Sequence, residues 1–243
     1  MSKPDKGCVC VTCAAGGLGI ALVERLLDDG YSVSAWDLAE GLLANIKSER
    51  LIFEELDTRD RAAMQAAVTR AMQRFGNIYG LVCMAGIYRT QNFLEIDEAT
   101  WDQHFSVNLK GTLLACQTVL PVLRAQKAGS IVVFSSSLAR TGGMKSAAYS
   151  ASKGGILGLM RSMALDVAAD GIRVNAVSPA IADTAMPRAV MDAGVMEARA
   201  ASNPMKRIGT PADMSEATLF LLDRENAFMT GQDLRVNGGG LLF

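Results

Sequence analysis

The chain has 243 residues, of which 50% are hydrophobic and 20% are charged. This length and composition predict one folded domain with a sizeable core and exclude a chain that is disordered throughout. Basic and acidic residues nearly balance, at 24 and 25, so no positive excess points to nucleic acid as a partner. No apolar run resembles a signal peptide or reaches the roughly 18 residues of a membrane span. We therefore expect a cytoplasmic protein that neither enters a membrane nor binds nucleic acid.

The cysteines number five, and they are scattered along the chain: Cys8, Cys10, Cys13, Cys83 and Cys116. An odd and scattered set does not resemble a disulfide framework. Cys8 and Cys10 alternate in a strand-like run, so their side chains should share one face. A metal site there is disfavoured, because the sequence has no second ligand cluster and its only histidine is His104. We expect buried, reduced thiols and no metal.

Strands and helices are predicted to alternate along the first half of the chain. The predicted strands are Cys8–Val11, Tyr31–Trp36, Leu51–Phe53 and Ile78–Met84. A glycine-rich turn and an amphipathic helix ended by Gly30 follow the first strand, and a second helix is predicted over Ala62–Phe75.

The second half repeats the alternation. Helices are predicted over about Asn108–Leu123, Tyr149–Ala168 and Asp213–Leu222, and strands over Ile131–Phe134, Ile172–Val177 and Leu234–Val236. Pro121 should kink or end its helix early. This order predicts an α/β, doubly wound fold with a parallel sheet, in one domain over residues 1–243.

Residues 180–210 are the least regular stretch, with two prolines, two glycines and four methionines. A long irregular insert in a compact domain is often a functional loop, and methionine adapts to irregular apolar shapes. One hypothesis is a segment that covers the substrate. The alternative, which is equally compatible with the sequence, is a helical hairpin packed on the body of the domain.

The glycine-rich turn Thr12–Gly19 follows the first predicted strand directly. Its small residues allow the backbone to approach a pyrophosphate, and the next helix offers free N–H groups and a positive dipole end. Asp37 follows the second strand, where a carboxylate can accept hydrogen bonds from an adenosine ribose and would repel a 2′-phosphate. The turn therefore predicts a dinucleotide site that prefers NAD to NADP. Taken alone, the turn could be a tight strand–helix connection, and Asp37 could be a helix cap.

Tyr149 and Lys153 stand four residues apart at the start of a predicted helix and should share one face. A free tyrosine has a pKa near 10, and a nearby ammonium would lower that value. Tyr149 could then exchange a hydroxyl proton while a hydride moves. Ser136, predicted at the end of a strand, could orient the substrate oxygen. A surface Tyr–Lys pair without function is the alternative for these two residues alone.

With these motifs in order, the sequence resembles the short-chain dehydrogenase/reductase family over nearly its full length. The segments that carry the resemblance are Thr12–Gly19, Asp57, Ala85-Gly86, Asn108, Ser136, Tyr149–Lys153, Ile172–Pro179 and Thr230–Gly239. The resemblance implies a Rossmann-type domain with a seven-stranded parallel sheet, a homotetramer, and hydride transfer between a nicotinamide cofactor and a small alcohol or ketone.

The resemblance also implies roles for individual residues. Tyr149 would be the acid/base, Lys153 would assist it and hold the nicotinamide ribose, Ser136 would position the substrate and Asn108 would hold a water near Lys153. Asp57 would meet the adenine and Thr184 the carboxamide, unless Asp57 is only a turn acid and Asn108 only a helix cap. The full predicted cofactor set is Thr12, Gly17, Leu18, Asp37, Leu38, Asp57, Thr58, Ala85, Gly86, Asn108, Tyr149, Lys153, Pro179, Ala180, Ile181 and Thr184.

Three positions depart from the family pattern. Cys13 replaces the first glycine of the turn and should resist a positive φ. Cys83-Met84 replaces two asparagines, and Ala180 replaces a glycine after Pro179. These changes touch the cofactor motifs and leave Asn108, Ser136, Tyr149 and Lys153 intact, so activity is expected and tight cofactor binding is in question.

The substrate is not identified by the sequence. Ser136, Tyr149, Arg140 and Met144 are candidate substrate contacts, and Arg89 is a further cation that could meet an anionic group, although solvated surface positions would also explain both arginines. Packing or capping explains His104 better than catalysis does. Two alternatives to the general alcohol dehydrogenase stay open: a reductase of 3-oxoacyl thioesters, and a weakly active family member that serves as a nucleotide-binding regulatory protein.

Overall fold

The structure is a computed structural model that describes residues 5–242. The first residues of the N-terminal stretch, and Phe243 at the end of the apolar tail, lie outside the described residues.

The described residues form a parallel sheet of seven strands in the order β3-β2-β1-β4-β5-β6-β7. The strands are β1 Cys8–Thr12, β2 Ser32–Asp37, β3 Leu51–Glu55, β4 Ile78–Cys83, β5 Gly129–Phe134, β6 Ile172–Pro179 and β7 Asp233–Val236. The strand order reverses between β1 and β4, which opens a crevice at the carboxyl ends of these strands. The predicted doubly wound fold is confirmed.

Helices cover both faces of the sheet. They are α1 Gly17–Asp28, α2 Arg61–Phe75, α3 Glu98–His104, α4 Gly111–Gln126, α5 Leu138–Thr141, α6 Ala147–Val167, α7 Ala185–Arg188, α8 Ala193–Ser202 and α9 Pro211–Leu222. A π-helical turn, Phe105–Lys110, connects α3 to α4. None of the described helices is long and apolar enough to cross a membrane.

The core divides into two layers because side chains alternate across each strand. Cys8 and Cys10 pack with α2, α4 and α6 on one face of the sheet, whereas Val9 and Val11 pack with α1 and α9 on the other. The predicted common face of Cys8 and Cys10 is therefore confirmed. All five cysteines are free thiols, and four of them are buried.

Of the two outcomes predicted for Pro121, a kink or an early stop of the helix, the early stop is wrong. Helix α4 continues to Gln126, where Lys127 adopts a left-handed conformation. Val119 and Leu123 on either side of the proline are fully buried in the core, and their packing offsets the missing hydrogen bond. Tertiary contacts thus outweigh the local preference of proline.

Residues 180–210 are more regular than expected. They contain α7 and α8, and their ends are joined by a parallel bridge between Ala182 and Gly209. Asp192 caps α8 by accepting a hydrogen bond from the backbone of Val195. This arrangement resembles the helical alternative, although residues from both helices also line the cleft described below.

Candidate active site

A cleft of about 810 Å³ lies at the carboxyl ends of the strands. Its inner wall includes Ser136, Tyr149 and Lys153, and residues 180–210 supply much of the opposite wall. Loops that follow parallel strands converge at this edge of the sheet, which is where open α/β folds bind their ligands.

The turn after β1 is shaped for close backbone approach. A Cβ at Gly19 would lie 2.2 Å from the carbonyl oxygen of Cys13, so only glycine fits there. Gly16 precedes α1 in an extended conformation, and no side chain among the described residues caps the helix. The N–H groups of its first turn therefore have no side-chain acceptor, as an anion site requires.

Cys13 adopts the left-handed conformation that it was expected to resist, with φ 56°. Its carbonyl oxygen accepts a hydrogen bond from the amide of Gly16 at 3.3 Å, which closes the turn. The turn therefore accommodates cysteine in a left-handed conformation at this position. Residues in this region cost on the order of 1 kcal/mol or more when they carry a Cβ.

The side chain of Thr12 is turned away from the cleft. It is almost fully buried, and its Oγ1 accepts hydrogen bonds from the amides of Met84 and Ala85 at 3.0 and 3.1 Å. Thr12 therefore ties the end of β1 to the end of β4, and its contact with the cofactor stays a prediction. Gly86, one residue further, has Lys153 Nζ and Asn108 Oδ1 directly beside it.

Asp37 lies at the end of β2, next to the glycine-rich turn. Its carboxylate accepts hydrogen bonds from the amides of Ala15 and Leu38 at 2.9 and 2.8 Å. The acid is thereby held in the position where the sequence predicted a ribose contact, and the Leu38 side chain beside it is exposed.

Asp57 and Thr58 follow β3, on the same edge of the sheet. Asp57 forms an ion pair with Arg59, which lowers the pKa of the carboxyl. Thr58 is buried against Gly111 at the start of α4. The turn-acid alternative thus describes Asp57 in this structure, while its contact with adenine stays a prediction.

Asn108 lies inside the π-helical turn and is fully buried. Its amide donates to the Ile87 carbonyl at 3.1 Å and to Ser152 Oγ at 3.0 Å, and its Oδ1 accepts from the Ile87 amide at 2.8 Å. Asn108 therefore joins the loop after β4 to helix α6. It is not the cap of a helix, because the chain is already helical on both sides of it.

Tyr149 and Ser136 both line the cleft, and the Ser136 hydroxyl is close enough to the phenol of Tyr149 to act on its pKa. Ser136 lies two residues beyond the end of β5, slightly later than predicted. Lys153, one turn along α6, is buried; its Nζ donates to the Phe134 carbonyl at 2.8 Å and lies 5.9 Å from the Tyr149 ring centroid. The structure therefore brings the four predicted catalytic side chains into one site.

Burial is the largest influence on the pKa values of Tyr149 and Lys153. It raises the pKa of Tyr149 to about 12, against the opposing effect of the hydrogen bond with Ser136. Burial also lowers the pKa of Lys153 to about 8, which nearby Cys13 and Cys83 partly offset. Desolvation and the neighbouring Tyr88 thus raise the pKa of Tyr149, and the lowering of this pKa by Lys153 stays a prediction.

The loop after β6 closes the nicotinamide end of the predicted site. Pro179, Ala180, Ile181 and Thr184 all line the cleft. The Ala180 amide donates to the Val236 carbonyl at 3.1 Å, so the replacement of glycine leaves the pairing with β7 in place. Thr184 lies against Gly17, where a Cβ would come within 3.1 Å of its methyl group.

Arg140 does not reach the substrate region, contrary to the prediction. Its Nε donates to Asp233 at 3.0 Å, and that carboxylate is buried at the start of β7. Arg140 is also absent from the cleft lining, whereas Met144 lies on its rim and is 92% exposed. The buried carboxylate requires a cation, and this explains the position of Arg140.

His104 is a packed residue, as predicted. It is fully buried, with Nδ1 2.8 Å from the Thr100 carbonyl, and its Nε2 accepts a hydrogen bond from the Arg89 amide at 3.2 Å. These contacts use both ring nitrogens within the packed interior of the domain. Among the described residues, no group of acidic, histidine and cysteine side chains could hold a metal ion.

Tyr88 is a cleft residue that the sequence reasoning missed. Its hydroxyl bonds to Ser146 Oγ at 2.8 Å, and its ring packs against that of Tyr149. The signal was present, because Tyr88 comes two residues after the Ala85-Gly86 motif and therefore lies at the same sheet edge as the other strand ends.

Comparison with known proteins agrees with this geometry. The family described as enoyl-(acyl carrier protein) reductase matches residues 13–240. The chain is 35% identical to a 2-(S)-hydroxypropyl-CoM dehydrogenase of Xanthobacter autotrophicus, with 95% of each chain covered. It is 34% identical to an acetoacetyl-CoA reductase of Synechocystis, over 95% of this chain and 94% of that one. Among solved structures, ElxO with NADP bound superimposes with a TM-score of 0.89 at 26% identity, with 98% of each chain covered.

Proposed function

The chain belongs to the short-chain dehydrogenase/reductase family and is an oxidoreductase of CH–OH and C=O groups, and we propose that Tyr149 is the general acid/base of its reaction. The observation that carries this proposal is the pair of hydroxyls, Tyr149 and Ser136, that line one cleft beside the buried Lys153. In that pair Ser136 orients the substrate oxygen and Tyr149 exchanges its proton.

The residues present fit a dinucleotide cofactor. Gly17 and Gly19 let the turn pack closely against Thr184 and its own backbone, and the first turn of α1 offers N–H groups to a pyrophosphate. Gly86 lets Asn108 and Lys153 approach the loop after β4. When bound, the nicotinamide ring accepts or supplies the hydride. Lys153 would hold the adjoining ribose, Thr184 the carboxamide, and Asp57 and Thr58 the adenine end.

Asn108 and Lys153 assist Tyr149 in its role as general acid/base. Asn108 fixes the backbone of Ile87 and the side chain of Ser152, and it lies close to Gly86 as Lys153 does. We assign it the role of holding a water by which Lys153 exchanges protons with solvent. The low pKa of Lys153, about 8, allows that exchange near neutral pH.

The cofactor we assign is NAD. Asp37 is fixed by two backbone amides beside the turn, and a carboxylate there would repel the 2′-phosphate of NADP. ElxO, which has NADP bound, shares the fold but is only 26% identical to this chain. Titrations that follow nicotinamide fluorescence should show tighter binding of NADH than of NADPH. Asp37→Ser should reduce the difference between the two affinities. A clear preference of the wild type for NADPH would contradict this assignment.

Catalysis is tested with Tyr149→Phe. This variant should bind NADH as the wild type does, while its turnover falls by about 100-fold or more. The assay is an NAD-coupled screen over secondary alcohols, ketones and 3-oxoacyl thioesters. Normal turnover by the variant would disprove the assignment of Tyr149, and a wild type that binds no NADH would favour a non-enzymatic regulatory protein.

Reduction of 3-oxoacyl thioesters is the second candidate reaction. The 34% identity to an acetoacetyl-CoA reductase favours it, and the cleft is large enough for an extended substrate. The thioester arm of the screen distinguishes it from the oxidation of simple secondary alcohols.

The assembly we propose is a homotetramer. Leu165 on α6 and Phe228 before β7 are largely exposed apolar residues, and Leu242 in the C-terminal tail is 75% exposed. Burial of such side chains between subunits would stabilise an oligomer. Sedimentation of the full chain and of a truncation that lacks the apolar tail should give a tetramer and a smaller species respectively.

The free thiols of all five cysteines support a reducing compartment, the cytoplasm.

A further inference from the structure

One face of helix α8 forms part of the outer wall of the cleft. Val195, Arg199 and Ser202, spaced by four and three residues, all line the cleft and therefore share that face. Met186 and Met191, in the same segment, line the cleft as well. The segment thus presents apolar surface to a substrate, with the guanidinium of Arg199 beside it.

The other cationic side chains of residues 180–210 already have hydrogen-bond or ion-pair partners. Arg188 donates to both carboxylate oxygens of Asp183, at 2.6 and 2.9 Å, and Arg207 does the same with Asp213 at the same two distances. Lys206 donates to a backbone carbonyl. In the part of the chain that the structure describes, the Arg199 guanidinium has neither a carboxylate nor a hydrogen-bond partner.

The cleft contains little other charge that could serve an anion. Lys153 is buried and donates to the Phe134 carbonyl, and the charges of Arg207 and Asp213 neutralise each other. Along the described lining, Arg199 therefore supplies the accessible positive charge. Its fork of N–H donors matches the oxygen pair of a carboxylate, a sulfonate or a phosphate.

We propose that Arg199 is a specificity residue that binds an anionic group at the far end of the substrate. The inference rests on the proposed function, because it places the CH–OH or C=O carbon of the substrate at Tyr149. The apolar part of the substrate would then lie along Met186 and Met191. The substrates would then be hydroxy acids, oxo acids or other anionic alcohols and ketones rather than neutral ones.

A purely structural role for Arg199 must be separated from this one. Arg199 lies in the last turn of α8, where any cation interacts favourably with the helix dipole. A lysine in its place would preserve that interaction and the charge but not the two-pronged geometry, so the substitutions to compare are Arg199→Gln and Arg199→Lys. Arg188→Gln, at a paired arginine of the same segment, is the matched control.

The turnover test uses (ω−1)-hydroxy acids of increasing chain length and their uncharged primary amides. The wild type should prefer the acid over the amide of the best length by about tenfold in kcat/KM, the value expected for one charge-assisted contact. Arg199→Gln should abolish the preference by raising KM for the acid alone, Arg199→Lys should retain part of it, and Arg188→Gln should retain all of it. Two results would overturn the inference. One is an equal kcat/KM of the wild type for acid and amide, and the other is a loss of kcat/KM in Arg199→Gln that is the same for both.

The binding affinities of the same acids and amides can be measured by calorimetry without NAD. Because no reaction occurs without the cofactor, this measurement separates the inference from the proposed function. Preferential binding of an acid that is lost in Arg199→Gln would support the Arg199 site even if the acid is not oxidised, in which case the assigned reaction fails. Turnover without acid preference would leave the reaction in place and remove the role of Arg199. Failure of the protein to bind any acid more tightly than its amide would also overturn the inference.

Discussion

The ring of Tyr88 meets the ring of Tyr149 edge to face, with 4.7 Å between their centroids and 64° between their planes. Ser146 Oγ donates to the Met144 carbonyl, so the hydroxyl of Tyr88 must donate to Ser146 Oγ. Tyr88 is therefore held at its far end and provides a wall that limits the orientation of Tyr149.

Tyr88 is predicted to be a positioning residue that acts through its ring. Tyr88→Ala should lower kcat by about 3- to 10-fold, the value of an aromatic pair, while Tyr88→Phe keeps most of the activity. Steady-state kinetics with the best substrate of the screen would measure both, and NADH binding should be unchanged in both. Equal losses in the two variants would show that the hydroxyl, and not the ring, is what matters.

Arg140 is predicted to contribute to stability and not to substrate binding. Its removal leaves the buried Asp233 with Ser178 as a hydrogen-bond partner but without its cation. Arg140→Ala should lower the free energy of unfolding by about 1.5–3 kcal/mol and leave KM unchanged. Arg124→Ala is the control: it breaks an exposed ion pair with Asp170 and should cost less than about 1 kcal/mol. A raised KM with unchanged stability would restore Arg140 as a substrate contact.

Much of this fold and site was predictable from local sequence. Alternating apolar runs gave the strands, and the strand ends located Asp37, Ser136 and Gly86 at one edge of the sheet. The partner of Arg140 was not predictable, because Asp233 lies 93 residues away and only the pairing of β6 with β7 brings it close. The continuation of α4 through Pro121 depends on core packing, which the periodicity of a single helix does not contain.

The protonation of Tyr149 was not predictable either, since spacing brings Lys153 near but does not report burial. With its pKa raised to about 12, Tyr149 is a neutral phenol at physiological pH. It can therefore donate a proton directly during reduction, whereas oxidation requires it to lose a proton first.

The rates in the two directions should consequently depend differently on pH. Between pH 6 and 9, kcat/KM for oxidation should rise by up to about tenfold per pH unit, and kcat/KM for reduction should not rise. Initial rates in both directions across this range would measure the effect, with Tyr149→Phe as the variant that loses the slope for oxidation. A plateau in the oxidation rate below pH 8 would mean that Lys153 lowers the pKa of Tyr149 during turnover, as the spacing of the two residues first suggested.

Lys153 should reduce the stability of the protein at neutral pH, as a consequence of its place in the site. Its pKa is lowered from 10.5 to about 8 by burial, so folding disfavours the charged form. Above pH 10.5 the amine is neutral in both the folded and the unfolded chain, and there is no cost. As the pH falls towards 8 the unfolded chain binds a proton that the folded chain does not, and stability decreases until the cost is complete below pH 8.

The variant Lys153→Met should remove this dependence. Relative to the variant, the wild type should lose stability on the order of 3 kcal/mol as the pH is lowered from 10.5 to 7, as the size of the pKa shift implies. Chemical denaturation of both proteins without cofactor at several pH values would give this difference, and Lys47→Met, at an exposed lysine, controls for the loss of a charge. A difference between wild type and Lys153→Met that is constant with pH would show that Lys153 stays charged in the folded protein. In that case its hydrogen bond to the Phe134 carbonyl, and not deprotonation, compensates for its burial.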